Sequence, residues 1–392
     1  WNGCIMSKIG LFGGTFNPIH NGHILFLQQI KEKCCLDKII LMPSNIPPHK
    51  YSALATNDER FKMCKIATEE IDYITVSDIE YKLSKKSYTS NTLKVLKKNY
   101  PNDEIYLIIG PDMLLSFDKW HEYNSIIEKF PILSGTSSKY EYELMTSKSK
   151  ELGGNISIFM IDILKVSSTY IRIKHAQGEN CAEYLNKKVA QYIFNEKIYM
   201  KENSFFVECY NTARNQLSKK RFKHCLMVAK AAKELAKIYN EDEKKAEIAG
   251  LLHDIMKEKD KAFLLHFMAE NDIILSKLEK TCSKIWHSIA GAVYCEKYLG
   301  IDDKDIINAI RYHTTAKKGM SKFEKIIYIA DCISDDRKYK EAKIEREMVK
   351  KDLNMTIFYH LKNTIINLCE QKSAVHSDTF DCYNELCADK TN

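Results

Sequence analysis

Glycine and proline are scarce in this sequence, with 14 and 7 of its 392 residues. This scarcity excludes collagen-like proteins and disordered proteins rich in the two residues. The 13 cysteines are an odd number and include no CxxC pair, so neither a complete disulfide framework nor a zinc ribbon is expected. We therefore expect reduced thiols and a cytoplasmic location.

Long apolar runs and charge of one dominant sign are also missing. No apolar run approaches the roughly 18 residues of a membrane span, and the region around Met6, the expected natural start, lacks the basic flank and apolar core of a signal peptide. The net charge is +7, and basic residues alternate with acidic ones throughout, which predicts solvated helix faces rather than a nucleic-acid or membrane surface. At about 150 residues per domain, the length predicts two or three domains.

The first half of the chain alternates short β-rich apolar runs with helical patterns. This alternation predicts an α/β domain of βα units around a parallel sheet. A Thr-x-x-Glu capping box at Thr56 and Glu59 predicts the start of one helix. The predicted strands span residues 9–12, 38–42, 73–76, 105–109, 132–134 and 156–160, and the predicted helices span residues 23–34, 58–70, 92–99 and 168–174.

The strand pattern stops near residue 199. Leu226, Ala229, Ala232 and Ala236 follow the 3.6-residue period of an amphipathic helix, and no convincing strand follows them. The second half is therefore predicted to be all-α. We place the two domains at residues 6–200 and 204–388.

A glycine-rich turn lies between the first predicted strand and the first predicted helix. It contains Gly13, Gly14, Thr15 and Phe16 and runs on to an HxGH motif at residues 20–23. Glycines allow the backbone to approach an anion closely, and the free N–H groups of a helix start favour phosphate. His20 and His23 are three residues apart and can face the same phosphate, where as donors they would stabilise charge that develops during phosphoryl or nucleotidyl transfer.

A second phosphate element follows far downstream, in the segment from Val166 to Arg172. The hydroxyl groups of Ser168 and Thr169 lie at a predicted helix start, and Arg172 lies one turn inside the helix. Such a helix start can hold an oxyanion, and an arginine can form charge-assisted hydrogen bonds to it. The two elements together favour a nucleotide phosphate site.

The HxGH and SSTxxR motifs resemble those of the nucleotidylyltransferase superfamily, whose fold is a Rossmann-like parallel sheet. The segments between them are similar to those of bacterial nicotinate-nucleotide adenylyltransferases over about residues 8–200. These segments are residues 43–50, 58–61, 87–89, 109–112 and 117–120. The resemblance implies Mg²⁺-dependent transfer of the adenylyl group from ATP to nicotinate mononucleotide, which yields deamido-NAD and pyrophosphate.

The resemblance also implies roles for individual residues. Catalysis would involve His20, His23 and Arg172, and a stacked Trp120 beside the backbone amides of Thr89 and His121 would suit a flat, anionic pyridine ring. Residues 131–137 lack the arginine that the resemblance leads us to expect after that strand. Nicotinamide mononucleotide and phosphopantetheine are the alternative acceptors. The implied ATP-binding residues are Gly13, Gly14, Thr15, Phe16, His20, His23, Gly110, Asp112, Ser168, Thr169 and Arg172, and the implied nicotinate mononucleotide residues are Ser44, Lys50, Thr89, Trp120 and His121.

The helical half contains a dispersed set of histidines and aspartates in apolar or amphipathic stretches. These candidate metal ligands are His224, His253, Asp254, His287, His313 and Asp331. Imidazole and carboxylate suit iron, manganese or zinc, and a carboxylate can bridge two ions. A carboxylate among apolar neighbours needs a partner, and six ligands exceed the four of a structural site, which favours two ions with open positions.

This ordered set resembles the HD-domain phosphohydrolase superfamily, in particular the symmetrical diadenosine tetraphosphate hydrolases, over about residues 204–388. The flanking segments that carry the resemblance are residues 221–224, 252–257, 287–291, 309–314, 328–331 and 376–379. It implies two ions of iron, or of manganese, with Asp254 as the bridging and catalytic residue. One ion would be held by His224, His253, Asp254 and Asp331, the second by His287, His313 and Asp254, and the polyphosphate by Arg221, Lys257 and Arg337.

The two halves together predict a bifunctional enzyme of NAD biosynthesis and diadenosine tetraphosphate hydrolysis. Its expected ligands are ATP, nicotinate mononucleotide and diadenosine tetraphosphate, with no nucleic acid or membrane partner; a homo-oligomer is left open. In one alternative the helical domain is a regulatory nucleotide-binding module. In another it hydrolyses guanosine tetraphosphate or a cyclic dinucleotide.

Overall fold

The structure is a computed structural model that describes residues 6–45, 55–82, 88–179, 181–200 and 203–388. Lys50, which the sequence assigns to the nicotinate mononucleotide site, lies outside the described residues. The chain divides into two compact units, of which the first ends at Ser204 and the second begins at Phe205. Within the described ranges no helix is both long enough and apolar enough to cross a membrane.

The first unit is built on a six-stranded sheet in which every strand pair is parallel, with the order β3-β2-β1-β4-β5-β6. The strands are β1 (Lys8–Gly14), β2 (Lys38–Pro43), β3 (Ile74–Val76), β4 (Glu104–Ile108), β5 (Ile132–Thr136) and β6 (Ile156–Met160). The prediction of a parallel α/β domain is confirmed. Its helices are α1 (Asn21–Cys34), α2 (Asn57–Thr68), α3 (Ile79–Lys82), α4 (Thr89–Asn99), α5 (Pro111–Leu115), α6 (Tyr123–Lys129), α7 (Lys139–Leu152), α8 (Ser168–Ala176) and α9 (Lys187–Asn195).

Both faces of the sheet are covered by apolar side chains. In β1, Ile9 and Leu11 belong to one buried cluster and Phe12 belongs to the other, because successive strand residues point to opposite faces. This double burial explains why the strands are visible in the sequence as nearly continuous apolar runs.

The strand order places the ends of β1 and β4 side by side at the centre of the sheet. The order runs from β1 outward to β3 on one side and from β4 outward to β6 on the other. Ligands of open α/β sheets bind at this point, beyond the carboxyl ends of the strands. Gly13 and Gly14 end β1, and Gly110 follows β4 closely.

The sequence patterns did not predict α9, which buries Val189 and Ile193, and the other unpredicted helices of the first unit are short or polar. Helices α3, α5 and α6 are too short to show a 3.6-residue period, and α7 buries only Met145. The predicted capping box is confirmed, because the Thr56 hydroxyl accepts from the Glu59 N–H at 3.2 Å and the Glu59 carboxylate accepts from the Thr56 N–H at 2.6 Å.

From α10 onward the described residues form helices and no strand, which confirms the all-α prediction. Helices α11 and α12 approach closely because α12 carries glycine at position 250, where a Cβ would lie 2.8 Å from the Cα of Ala229. The helices are α10 (Ser204–Gln216), α11 (Lys219–Tyr239), α12 (Glu243–Leu252), α13 (Lys261–Glu270), α14 (Lys277–Thr281), α15 (Trp286–Val293), α16 (Lys304–Tyr312), α17 (Lys322–Ile333), α18 (Lys340–Met348), α19 (Leu353–Glu370) and α20 (Ser377–Ala388).

Candidate active sites

A cleft of about 440 Å³ opens at the carboxyl ends of β1 and β4 in the first unit. It brings together most of the residues that the sequence assigned to ATP. Those that line it are Gly13, Gly14, Thr15, Phe16, His20, His23, Gly110, Asp112 and Ser168. The two phosphate elements, distant in the chain, meet here, because the Ser168 hydroxyl donates to the Pro18 carbonyl at 2.9 Å.

The two histidines of the HxGH motif form a stacked pair in this cleft, with ring centroids 3.7 Å apart. The backbone N–H of His20 donates to Nδ1 of His23 at 3.2 Å, so the proton of a neutral His23 ring is on Nε2. Burial lowers the pKa of His23 to about 4, and burial together with His23 holds the pKa of His20 well below its usual value. Both rings are therefore neutral donors at pH 7.

Gly22 makes room for this pair. A Cβ at that position would lie 3.0 Å from Nδ1 of His20 and 3.3 Å from the side chain of Val166. Any side chain there would press on the His20 ring. The glycine of the HxGH motif is thus explained by packing within the cleft.

Arg172 and Thr169 belong to the predicted ATP set but are not among the residues that line the cleft. The Arg172 guanidinium donates to the Asn17 carbonyl at 2.7 Å and to the Thr169 hydroxyl at 3.1 Å. Arg172 therefore braces the loop that precedes the histidines.

Sequence reasoning missed a second arginine that braces the same loop. Arg60 on α2 is completely buried, and its guanidinium donates to the carbonyls of Thr15 at 2.6 Å and Ser44 at 2.7 Å. Within the charged stretch Asp58–Glu59–Arg60 it is indistinguishable from a solvated helix residue. Only its packing shows that it holds the glycine-rich turn against the end of β2.

Replacing Arg60 is expected to destabilise the first unit. Arg60→Ala removes a completely buried side chain and its two charged, partly buried hydrogen bonds to carbonyls, and we expect a loss of about 3 kcal/mol in the free energy of unfolding. Urea unfolding followed by Trp120 fluorescence in a Trp1→Phe, Trp286→Phe background measures it, because the chain has three tryptophans. The matched control is Lys65→Ala, an exposed position on the same helix, which should change stability by less than about 0.5 kcal/mol; equal values would contradict the bracing role.

The residues assigned to nicotinate mononucleotide are distributed around the end of the sheet. The Ser44 N–H donates to the Gly14 carbonyl at 2.8 Å, Thr89 begins α4, and Trp120 packs on Phe117 with ring centroids 5.1 Å apart. The exposed His121 contacts the Tyr88 ring at 4.1 Å, which brings it near the start of α4. None of these side chains lines the cleft that holds the two histidines, so their role stays a prediction.

The six predicted metal ligands of the second unit converge into one cage. His224, His287 and Asp331 lie within α11, α15 and α17, and His253, Asp254 and His313 lie at the ends of α12 and α16. All but Asp331 are buried. The cage thus lies where five helices meet.

Asp254 lies between two groups of histidines. Its Oδ1 is 3.2 Å from Nε2 of His287 and 3.5 Å from Nε2 of His313. Its Oδ2 is 3.5 Å from Nε2 of His253 and 3.9 Å from Nε2 of His224. Asp331 faces the group formed by His224 and His253, because its Oδ1 is 3.1 Å from Nε2 of His224.

The chemistry of this cage fits divalent cations. Nε2 of His224, Nε2 of His253 and Oδ1 of Asp254 are buried without hydrogen-bond partners, and three overlapping sets of cage side chains are close enough to hold an ion. Burial alone would raise the pKa of Asp254, but the surrounding histidines outweigh it and hold the pKa well below its usual value. The carboxylate is therefore ionised and available to a cation.

The outer nitrogens of three of the four cage histidines are held in place. Nδ1 of His253 lies 2.7 Å from the Gly250 carbonyl, and Nδ1 of His313 lies 2.8 Å from the Ile310 carbonyl. A carbonyl only accepts, so Nδ1 carries the proton and the Nε2 lone pair points into the cage. For His224 the corresponding partner is the carboxylate of Asp336 at 2.8 Å, which sequence reasoning missed.

Asp336 is expected to tune metal affinity through His224. Asp336→Asn should weaken divalent metal binding by about 10- to 100-fold, because outer partners orient ligand histidines and raise their basicity. Competition with a chromophoric chelator measures this affinity. The neighbouring Asp335→Asn changes a largely exposed carboxylate and should leave it unchanged; a similar affinity in both variants would contradict the role.

The three basic residues assigned to polyphosphate all contact the cage. Arg221 Nη1 is 2.8 Å from Oδ2 of Asp254, and Lys257 Nζ is 3.1 Å from Nε2 of His287. Arg337 Nη2 is 2.5 Å from Oδ1 of Asp331. Each side chain is also partly exposed, so each can meet an anion at the entrance of the cage.

Comparison with known proteins identifies the class of both units. Residues 11–174 match the cytidylyltransferase-like family and residues 221–336 match the HD domain. The chain thus combines a nucleotidyltransferase domain with an HD domain. The HD domain implies divalent metal binding. More particularly, it belongs to the nicotinate-nucleotide adenylyltransferase family: a probable nicotinate-nucleotide adenylyltransferase of Flavobacterium johnsoniae is 39% identical over 200 residues, which are 50% of this chain and 100% of the relative.

A further relative matches most of the chain, and a solved structure matches part of it. A protein of Mycoplasma genitalium named "Probable nicotinate-nucleotide adenylyltransferase/Ap4A hydrolase" is 29% identical over 337 residues, which are 85% of this chain and 89% of the relative. A crystal structure of a "predicted HD superfamily hydrolase involved in NAD metabolism" from Clostridium acetobutylicum is 36% identical and covers 47% of this chain and 97% of its own, with a TM-score of 0.46.

Proposed function

We propose that this chain is a bifunctional enzyme. Its first unit transfers the adenylyl group of ATP to nicotinate mononucleotide, with release of pyrophosphate and formation of deamido-NAD. Its second unit adds one water to diadenosine tetraphosphate and releases two ADP. The first activity is supported by the cleft in which His20, His23 and Ser168 lie together. The second activity is supported by the position of Asp254 between two groups of histidines.

Adenylyl transfer needs positioning and charge stabilisation more than a protein nucleophile. The mononucleotide already carries the attacking phosphate, so no covalent enzyme intermediate is required. Nε2 of His23 donates to the phosphates of ATP, and the free N–H groups at the start of α1 add to the attraction. Bound Mg²⁺ would supply further charge neutralisation on the phosphates.

Acceptor specificity is tested by comparing turnover on three acceptors. We expect nicotinate mononucleotide to exceed nicotinamide mononucleotide and phosphopantetheine by at least about tenfold, because a site built for a carboxylate leaves its polar groups unpaired with a neutral amide. Product formation followed by chromatography at several concentrations gives kcat/KM for each. Equal values for the two mononucleotides would contradict the assignment to the acid.

The cage residues support hydrolysis of a polyphosphate. His224, His253, Asp254 and Asp331 would hold one divalent ion and His287, His313 and Asp254 a second, with iron proposed as the native metal and manganese as the substitute. When bound, such ions supply Lewis acidity at phosphate and lower the pKa of water. Arg221, Lys257 and Arg337 bind and orient the polyphosphate chain at the entrance.

The hydrolase proposal is tested with the full chain loaded with Fe²⁺ or Mn²⁺. Incubation with diadenosine tetraphosphate should yield ADP as the only nucleotide product. AMP together with ATP would contradict symmetrical cleavage, and tight binding without any product would instead support a regulatory nucleotide-binding module. Guanosine tetraphosphate and a cyclic dinucleotide serve as competing substrates, and faster turnover of either would replace the assigned substrate.

A further inference from the structure

A second cleft in the helical unit lies outside the metal cage. It has a volume of about 540 Å³ and is lined by residues of α18 and α19 together with Tyr339. None of the cage ligands or the three basic residues beside them lines it. It therefore requires an explanation separate from polyphosphate hydrolysis.

One wall of this cleft contains a buried carboxylate, one oxygen of which has no hydrogen-bond donor. Glu345 on α18 has no exposed surface. Its Oε1 lies 2.8 Å from Nδ1 of His360, whereas its Oε2 is buried without a hydrogen-bond partner. Leaving a buried carboxylate oxygen without a donor is costly, so the site favours a ligand that supplies N–H groups.

Further acidic and amide groups extend the cleft along α19. His360, Asn363, Asn367 and Glu370 all line it and follow one face of the helix. The ten residue steps from His360 to Glu370 span about 15 Å of helix. Because Glu345 contacts His360, one carboxylate lies at each end of this span, with two amides between them.

The local charge of the cleft is negative although the chain carries +7. His360 is its only basic lining residue and pairs with Glu345; burial lowers the pKa of His360, but Cys332 and Glu345 outweigh it and hold the pKa well above its usual value. Glu341 and Glu370 also line the cleft and supply its excess negative charge. The nearby Arg346 on α18 donates its guanidinium to the carbonyls of Ile333, Ser334 and Arg337. It is thus engaged away from the Glu345 carboxylate.

A single metal ion is a poorer occupant than an organic cation. Within the described residues, every set of side chains close enough to hold an ion belongs to the Asp254 cage. The carboxylates of this cleft are instead spread along it, and Tyr339 offers an aromatic ring that can contact an ammonium group. We propose that the cleft binds a linear polyamine, with one terminal ammonium group on Glu345 and the other near Glu370.

Isothermal titration of the full, Mn²⁺-loaded chain with spermine tests this proposal. We expect one spermine per chain and weaker binding of butane-1,4-diamine, which cannot span both carboxylates. Glu345→Gln should weaken spermine binding by about 10- to 100-fold, as expected for loss of a charge-assisted hydrogen bond, and Glu370→Gln should weaken it less because Glu370 is exposed. The matched control, Glu347→Gln, changes an exposed residue of α18 that pairs with Lys350 and should bind spermine normally.

Three outcomes would overturn the proposal. They are absence of spermine binding at millimolar concentration, equal weakening in the Glu347→Gln control, and equal affinity for spermine and butane-1,4-diamine. An additional Mn²⁺ per chain that is lost in Glu345→Gln would assign a metal ion to the cleft instead. If Glu345→Gln does not fold, Glu341→Gln and Glu370→Gln decide the matter, because neither side chain is buried.

Discussion

The His23→Ala variant is expected to lose adenylyl transfer by about 10²- to 10³-fold, the usual cost of removing one preorganised donor to developing charge. His23 lines the cleft, and its Nδ1 accepts from the His20 N–H, so Nε2 is the donor that the phosphate would meet. Deamido-NAD formation at saturating ATP and nicotinate mononucleotide measures the loss. Diadenosine tetraphosphate hydrolysis should be unaffected.

The low pKa of His23 sharpens this prediction. Since burial lowers it to about 4, the ring is a neutral donor at pH 7, and a neutral amide can partly replace it. His23→Gln should therefore retain more transfer activity than His23→Ala. If the two variants were equally inactive while folded, a donor role for the neutral ring would be contradicted.

The Asp254→Asn variant is expected to show the reverse pattern. Its carboxylate faces both histidine groups, with His287 at 3.2 Å and His253 at 3.5 Å, so its charge serves both proposed ions. We expect hydrolysis to fall by at least about 10³-fold, because metal catalysis contributes several kcal/mol. Metal analysis of the purified variant should show a reduced metal content, and adenylyl transfer should be unaffected.

Matched controls separate these site effects from general damage. Asp381→Asn changes an exposed carboxylate on α20 and should retain both the metal and hydrolysis. Normal metal content and normal hydrolysis in Asp254→Asn would contradict the bridging role. Loss of both activities in either His23→Ala or Asp254→Asn, with folding intact, would show that the two units do not act independently.

Features that depend on neighbouring residues in the chain were predictable. The apolar runs of the strands, the Thr56 capping box and the glycine-rich turn before His20 are local patterns, and the structure contains each of them. The residues of the cage were also predictable as candidates, because histidines in apolar stretches are conspicuous. Helices such as α7 were not, since a helix that buries one residue has no apolar stripe.

Features that depend on packing between remote segments were not predictable. Arg60, Asp336 and Glu345 each occur among other charged residues, where the solvated interpretation is the ordinary one. Packing buries Arg60 under the glycine-rich turn and joins Asp336 to His224. It also buries Glu345 against His360, fifteen residues later in the chain.

By itself, the sequence determined an α/β unit followed by a helical unit and the residue types available for phosphate and metal chemistry, because strand and helix periodicity and turn residues act locally. Only the tertiary structure decided which atoms face each other: the tautomer of His23, the two directions of the Asp254 carboxylate and the buried oxygen of Glu345. The physical reason is that a side chain's protonation, charge and free hydrogen-bonding atoms depend on burial and on partners brought close by folding, whatever their distance in the chain.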